Sequence, residues 1–260
     1  MSIPHVAAKI NNEALFRPAD FLAYLGRVGI ALSHRTAPDA VILSYQKSLF
    51  EHVLQTYPCE RAQGYFGRFL HYVDLPGSAR SIAIAADFGV GAPAAAVMLE
   101  ELIAWGVKDF VSMGLAGSLK EDLSPGSLVV CDRAFRDEGT SHHYIEGNAF
   151  VGPDPALTGR LEAALQAARL PYTKGPTWTT DAIYRETPLE VRYFREQGAL
   201  VVEMEAAALF AVAQYRGAHL ASCFSVSDTL AYLEWRPEFH AEPTVQGLAA
   251  LFSCAVRALQ

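Results

Sequence analysis

The fold is decided by Ala199-Leu-Val-Val-Glu-Met-Glu-Ala-Ala-Ala-Leu-Phe-Ala-Val-Ala-Gln-Tyr-Arg-Gly217, a stretch in which a strand pattern changes directly into a helix pattern. Ala199–Val202 is an apolar run of strand length. Ala206–Tyr215 is rich in Ala and Leu, and Gly217 follows it as a helix-ending residue. A strand followed at once by a helix is the repeating unit of α/β proteins.

Two carboxylates, Glu203 and Glu205, stand where the apolar strand meets the apolar helix. Carboxylates are seldom buried without a partner, because removing the charge from water costs on the order of several kcal/mol. Residues two apart in extended chain point the same way, and the carboxyl ends of strands in α/β sheets bind ligands. Ionised carboxylates accept hydrogen bonds that the neighbouring hydroxyls of ribose donate, so the pair predicts a sugar site. The alternative is an acidic helix N-terminus stabilised by the helix dipole.

The rest of the chain alternates between strand-like and helix-like segments. The predicted strands are Ala40–Ser44, Gly64–Tyr72, Ser81–Ala86, Asp109–Met113, Ser127–Cys131, Gly175–Thr180 and His219–Val226. The predicted helices are Pro18–Gly29, Ser48–Tyr57, Pro93–Gly106, Pro155–Leu170, Pro188–Gly198 and Gln246–Leu259. This alternation predicts one α/β sheet with helices layered on it.

Composition restricts the class of protein. The 260 residues are 51% hydrophobic, which suffices for a large core, and the net charge of −7 gives no reason to expect a nucleic acid or an anionic membrane as partner. No apolar run approaches the roughly 18 residues of a membrane span, and residues 1–12 lack a secretory pattern. The cysteines are scattered without paired spacing, so we expect neither disulfides nor a zinc site, and we expect a cytoplasmic location. They are Cys59, Cys131, Cys223 and Cys254.

A third acid, Asp228, follows the predicted strand His219–Val226. It would meet Glu203 and Glu205 if their two strands are neighbours, as consecutive strands usually are. The alternative for Asp228 is a helix N-cap. Three acids at the ends of two strands predict a sugar-diol pocket beside a base that needs a proton donor.

Two other segments carry weaker signals. Gly114-Leu-Ala-Gly117 follows a predicted strand and is either a tight turn or a place where a ligand meets the backbone closely. The polar loop 132–144 holds Asp137, Glu138, His142 and His143, but their spacing matches no common metal motif, so we expect no metal.

Val202-Glu-Met-Glu-Ala-Ala207 resembles the signature of the nucleoside phosphorylase and nucleosidase superfamily, which includes hexameric purine nucleoside phosphorylases, uridine phosphorylases and methylthioadenosine nucleosidases. Further motifs fall in the family's order: Gly89-Val-Gly-Ala-Pro93, Gly114-Leu-Ala-Gly117, Thr179-Thr-Asp-Ala-Ile-Tyr184 and Ser225-Val-Ser-Asp228. The Glu-Met-Glu and Ser-Asp motifs together are specific for this family. The glycine motifs are consistent with the family but are not specific for it. The resemblance covers most of the chain. It implies a single α/β domain over residues 1–260, a three-layer sandwich with a central mixed β-sheet flanked by helices.

The resemblance implies roles around the sugar and the base. Glu205 would hold the ribose hydroxyls, Met204 would pack under the sugar, and Glu203 would help to shape the pocket. Asp228 would be the general acid at purine N7, with Ser227 beside it. This acid is central because the departing base must not carry away a full negative charge.

Four further positions follow from the resemblance. Ile183 falls where the family often stacks an aromatic residue on the base, and Gly114 belongs to the glycine motif of the substrate site. Arg236 is expected to pair with Asp228 when the following loop closes. Pro4-His5 is similar to the phosphorylase segment whose His enters a neighbouring subunit's site, although a His near a terminus is usually just solvated. We therefore expect a homo-oligomer of dimer units, with a hexamer as one option.

The chain departs from the family where phosphate binds. The phosphorylases' early Gly-Asp-Pro-x-Arg loop is replaced by Leu43-Ser-Tyr-Gln-Lys-Ser48, their Arg before the glycine motif by Ser112, and their Ser or Thr within it by Leu115. Lys47 and Arg61 are the leading substitutes for phosphate binding. Arg68, Arg133 and Arg136 are further candidates.

The departures leave three functions open. The first is a purine-preferring nucleoside phosphorylase that uses phosphate as co-substrate and no cofactor. The second is a nucleosidase that uses water, although its early catalytic Glu is replaced near Gln46 and Lys47. The third is a non-catalytic nucleoside-binding protein. The uracil reader of uridine phosphorylases has no match at Thr187 and Leu189, and Asp228 favours purines.

Overall fold

The computed structural model describes residues 4–260. The strands are β1 Ala40–Ser44, β2 Cys59–Arg61, β3 Leu70–Val73, β4 Ile82–Ala85, β5 Asp109–Ser118, β6 Leu128–Asp137, β7 Phe150–Val151, β8 Thr173–Thr180, β9 Val201–Glu203, β10 His219–Thr229 and β11 Arg236–Pro237. The helices are α1 Pro18–Arg27, α2 Lys47–Thr56, α3 Ala92–Trp105, α4 Pro155–Ala167, α5 Pro188–Glu196, α6 Ala206–Arg216 and α7 Glu242–Leu259. Short 3-10 helices span Ala7–Asn11, Tyr65–Arg68, Ser141–His143 and Ile183–Arg185.

The strands form one mixed sheet in the order β11-β10-β6-β8-β9-β5-β1-β4-β3-β2, with β7 beside β6. Strand β5 pairs in parallel with β1 and with β10, and antiparallel with β9. Because β5 meets both β9 and β10, the five strands β5, β10, β6, β8 and β9 close into a ring. Strand β5 lies between β1 and β10 and extends past the end of β1, since Ser44 at the end of β1 pairs with Met113 in the middle of β5.

Helices cover both faces of this sheet. Alternate residues of β1 point to opposite faces, so that Val41 and Leu43 pack with α1, α3 and α6 while Ala40 and Ile42 pack with α2, α4 and α7. Helix α5 packs against β8, where the aromatic rings of Phe194 and Trp178 stack with centroids 4.5 Å apart. The expected fold class, a central mixed sheet flanked by helices, is confirmed.

Three expected boundaries are wrong. The supposed turn Gly114–Gly117 lies inside β5, and Asp228 lies inside β10, next to a register shift between Val226 and Asp228. The predicted strand Gly64–Tyr72 begins instead as a 3-10 helix. Gly64 has φ 71°, and a Cβ there would lie 2.2 Å from the carbonyl oxygen of Ala31, so the chain turns where the apolar pattern suggested extended backbone.

No helix within residues 4–260 has both the length and the apolar character needed to cross a bilayer.

The core packing predicts a strong effect for Phe252, a fully buried α7 residue under the sheet. We expect Phe252→Ala to lower the free energy of unfolding by about 3–5 kcal/mol, because the lost ring leaves a cavity. Phe16→Ala is the matched control, since Phe16 is 73% exposed and its loss should cost under about 0.5 kcal/mol. Urea unfolding measures both. Equal losses would contradict the assignment of Phe252 to the core.

Candidate active site

Glu203 is held by four hydrogen bonds at the junction of β9 and α6. Its Oε1 accepts from the hydroxyls of Thr179 at 2.5 Å and Thr177 at 3.3 Å, both on β8. Its Oε2 accepts from the backbone N–H groups of Glu205 and Ala206 at 2.7 and 2.8 Å. Burial raises the pKa of Glu203, and these donors oppose the rise. Glu203 thus anchors the start of α6. For Glu203, this matches the alternative given above, an acidic residue that stabilises a helix N-terminus.

Glu205 is also buried but is engaged differently. Its Oε1 accepts from the backbone N–H of Gly91 at 2.6 Å, in the loop that leads into α3. Met204 is half-buried beside the same loop, with its methyl group 3.9 Å from where a Cβ of Gly91 would lie. Burial and the neighbouring charge of Glu203 raise the pKa of Glu205 to about 8. Glu205 thus accepts fewer hydrogen bonds from its own chain than Glu203 does.

Strands β9 and β10 both reach Gly117 of β5. In the strand registers, Gly117 pairs with Val202 of β9 on one side and with Asp228 of β10 on the other. A Cβ at Gly117 would lie 3.0 Å from Oδ2 of Asp228 and 3.2 Å from Cγ1 of Val202, so a side chain here would crowd both neighbours. Strands β9 and β10 are not neighbours, and that expectation is wrong. Both strands pair instead with β5, so that Val202, just before the acidic pair, and Asp228 lie on either side of Gly117.

Asp228 is buried and supported by two donors. The hydroxyl of Ser227 donates to its Oδ1 at 2.7 Å, and the indole N–H of Trp235 donates to its Oδ2 at 3.1 Å. Burial raises the pKa of Asp228, and the hydrogen bonds from Ser227 and Trp235 oppose the rise.

Glu186 is a further buried acid whose carboxyl group interacts with that of Asp228, and it was not predicted from the sequence. It follows the 3-10 helix Ile183–Arg185, and burial together with the charge of Asp228 raises its pKa to about 7. Its place just after the Thr-Asp-Ala-Ile-Tyr motif was the only available signal.

Tyr45, directly after β1, is the other residue that sequence reasoning missed. Its hydroxyl lies 3.0 Å from Oγ of the buried Ser112, and its ring packs edge-on against Phe88 with centroids 5.5 Å apart. A Cβ at Gly114 would lie 3.1 Å from the ring, so Gly114 makes room for Tyr45. Burial, and then the charge of Glu205, raise the pKa of Tyr45 well above its usual value, so the phenol is neutral.

The basic candidates lie elsewhere. Lys47 is exposed and forms an ion pair with Glu51 at 3.5 Å. Arg61 is exposed and its Nε donates to the carbonyl of Gly67 at 2.6 Å. The other three are engaged too. Arg68 lies over Phe69, Arg133 lies over Phe150, and the buried Arg136 donates to Ser141 and to loop carbonyls.

Arg236 is paired with another residue in this structure, and its expected pairing with Asp228 on loop closure stays a prediction. Arg236 forms an exposed ion pair with Glu234 at 3.2 Å, and its guanidinium lies over the ring of Tyr232. The strand register places Arg236 opposite Thr229. The residue that contacts the Asp228 carboxylate is Trp235.

Two expected substrate contacts lie at the surface. Ile183 is 43% exposed in its 3-10 helix, and His5 is exposed ahead of the 3-10 helix Ala7–Asn11. Neither is brought against the carboxylates by contacts within the described chain.

The polar loop 132–144 is largely structural. Glu138 accepts from the backbone N–H of Ser141, His142 contacts the carbonyl of Arg136, and His143 contacts Lys9. In the part of the chain that the structure describes, no three His, Cys, Asp or Glu residues are grouped to hold a metal ion.

Comparisons with known proteins agree with this architecture. A family model described as the phosphorylase superfamily matches residues 47–257. The chain is 33% identical over 142 residues to guanosine phosphorylase of Halorubrum lacusprofundi, covering 55% of this chain and 59% of that protein. It is 28% identical over 145 residues to a DeoD-type purine nucleoside phosphorylase of Clostridium perfringens, covering 55% and 61%. The chain thus spans about three fifths of the length of these relatives.

A solved structure shares the fold. Uridine phosphorylase from Vibrio fischeri ES114 superposes with a TM-score of 0.71 at 23% identity, covering 86% of this chain and 91% of that one.

The pKa of Glu205 predicts how stability changes with pH. Because its pKa rises from 4.5 to about 8 on folding, the folded state binds the proton more tightly. This stabilisation is complete below about pH 4.5 and is lost as pH rises through about 8. Between about pH 6 and 9, we expect the unfolding temperature of the wild type to fall more than that of Glu205→Gln. The expected difference between the two falls is roughly several degrees.

The control is Glu51→Gln, which changes an exposed carboxylate and should follow the wild type. Parallel curves for the wild type and Glu205→Gln would show that Glu205 is already ionised at pH 6.

Proposed function

Because this chain belongs to the phosphorylase superfamily, we propose that it is an enzyme that cleaves the N-glycosidic bond of a nucleoside and releases the free base. The observation that carries the proposal is that β9, which leads to Glu205, and β10, which bears Asp228, both pair with β5 at Gly117. One carboxylate suits the sugar hydroxyls, and the other, with its raised pKa, suits the departing base.

The proposed chemistry follows from this division of roles. The bond breaks with positive charge developing on the sugar, and Asp228 donates a proton or a hydrogen bond to the base so that it leaves neutral. Purine N7 is a suitable acceptor for that proton. We therefore propose a purine nucleoside as substrate, a choice also supported by the names of two relatives, guanosine phosphorylase and purine nucleoside phosphorylase.

Two acceptors of the sugar are compatible with this chemistry. The relatives' names support phosphate, which would yield ribose 1-phosphate. The residues around Ser112 favour water as a second candidate, since Tyr45 contacts Ser112 and the nearby Leu115 is apolar.

One assay tests the proposal. Purified protein is incubated with inosine, guanosine, adenosine, methylthioadenosine or uridine, each with and without phosphate, and base release is followed. We expect release from at least one purine nucleoside. Binding without release from any member of the panel would instead support a nucleoside-binding protein.

The role of Asp228 predicts a large effect on rate. We expect Asp228→Asn to lower kcat/KM for purine nucleosides by about 10²–10⁴-fold, because the amide cannot supply the proton. The control is Asp74→Asn, an exposed Asp that follows β3 at the opposite edge of the sheet. Turnover that survives Asp228→Asn unchanged would remove Asp228 from the mechanism.

We further propose a homo-oligomer in which His5 reaches the site of a neighbouring subunit. The exposure of His5 supports this, since the side chain is available to a partner. We expect a dimer or larger assembly by light scattering and a weaker KM in His5→Ala, with His240→Ala as an exposed control. A monomer with full activity would rule this out.

We propose a reducing compartment such as the cytoplasm. The four cysteines are all free thiols in the structure, and three of them are buried, which supports this proposal.

A further inference from the structure

We infer that Tyr45 keeps phosphate out of this active site and that water is the acceptor of the sugar. The inference rests on the proposed function and deepens it, because it names the nucleophile. It depends on where Tyr45 lies, what it touches and which charges surround it.

Tyr45 lies on the side of the site from which a nucleophile must come. Strands β1 and β10 flank β5, both parallel to it, so Tyr45 after β1 and Asp228 on β10 stand on opposite sides of β5. If Asp228 holds the leaving base, a nucleophile that displaces it approaches the anomeric carbon from the opposite face. That approach begins on the side of β1, where Tyr45 is the first residue after the strand.

The Tyr45 side chain occupies the space at this position. Its ring packs on the backbone at Gly114, 3.1 Å from where a Cβ would lie, and edge-on against Phe88. Its hydroxyl reaches the buried Ser112 at 3.0 Å. Tyr45 therefore covers Ser112, which is buried. The contacts of the Tyr45 ring with Gly114 and Phe88 hold the ring in this position.

The charges also oppose an anion. The carboxylates of Glu205 and Glu203 both act on the Tyr45 phenol and disfavour its negative form. A phosphate dianion would lose much of its hydration in this buried place and would need cations to offset that loss. Within residues 4–260, the basic candidates Lys47 and Arg61 are exposed and engaged with Glu51 and Gly67. Water carries no charge and needs no such partner.

The hydroxyl of Tyr45 can serve water directly. A phenol offers one donor and two acceptor lone pairs, so its contact with Ser112 leaves hydrogen-bonding capacity. In the step we infer, the water oxygen bonds to the anomeric carbon as the carbon–nitrogen bond breaks. The electron pair of the broken bond passes to the base. Asp228 protonates the base, and a proton from the attacking water passes through solvent to restore Asp228. The products are free base and free sugar.

The test identifies the sugar product in the wild type. Purine nucleoside is turned over with and without inorganic phosphate, and free ribose is detected by proton NMR while ribose 1-phosphate is detected by phosphorus NMR. We expect free ribose in both cases and rates that differ by less than about twofold. Ribose 1-phosphate, or release that requires phosphate, would overturn the inference while leaving the proposed bond cleavage intact.

Variants then test whether Tyr45 is responsible. Tyr45→Phe keeps the ring and should still yield only free sugar at whatever rate remains. Tyr45→Gly combined with Ser112→Arg opens the space and adds a cation, and we expect ribose 1-phosphate to become detectable. Ser112→Arg alone is the matched control and should yield none, because the ring still fills the space. Ribose 1-phosphate from Ser112→Arg alone would contradict the role of Tyr45.

A direct binding measurement separates this inference from the proposed function. If the wild type releases no base, the proposed function fails, and calorimetry with inorganic phosphate decides the inference. We expect no saturable binding to the wild type and one-to-one binding to the double variant. One-to-one binding of phosphate to the wild type would overturn the exclusion. If the double variant does not fold, as judged by circular dichroism, the wild-type product and wild-type phosphate binding still decide the question.

Discussion

The buried carboxylate of Glu203 is the interaction on which the site depends. It ties β8 to the start of α6, since its two oxygens accept from Thr177 and Thr179 on one side and from two backbone N–H groups on the other. A buried carboxylate is costly unless its lone pairs are satisfied, and here four donors satisfy them. The helix start therefore stays in one position, and Glu205 is presented toward Gly91.

Strand β5 is the second constraint, because it brings distant segments to one point. Its paired neighbours carry Val202 on one side and Asp228 on the other, and both reach Gly117. A side chain at Gly117 would crowd the Asp228 carboxylate, which approaches within 3.0 Å of the Cβ position. Glycine here leaves room for Val202 and Asp228 to approach β5 from both sides.

The two acids of the pair have different tasks despite their similar sequence context. Glu203 is saturated with internal donors and acts as an anchor, whereas Glu205 accepts from Gly91 and has a pKa raised to about 8. Asp228, supported by Ser227 and Trp235, completes the polar side of the pocket. The side of β1 is built differently, with the neutral Tyr45 above Ser112 and Gly114. The two sides of β5 therefore differ in chemistry, with carboxyl groups beside Gly117 and a neutral phenol beside Gly114.

The sequence by itself determined the α/β class, the strand-to-helix junction at Glu203, and the acids at the ends of two strands. These features are local: strand and helix periodicity and a charge within an apolar run can be read from neighbouring residues. Only the tertiary structure decided that β9 and β10 meet through β5, that Trp235 rather than Arg236 contacts Asp228, and that Tyr45 covers Ser112. The contacts of Tyr45 with Ser112 and of Gly91 with Glu205 join residues 67 and 114 positions apart. No local pattern encodes such pairings, because they arise from the order in which the strands pair.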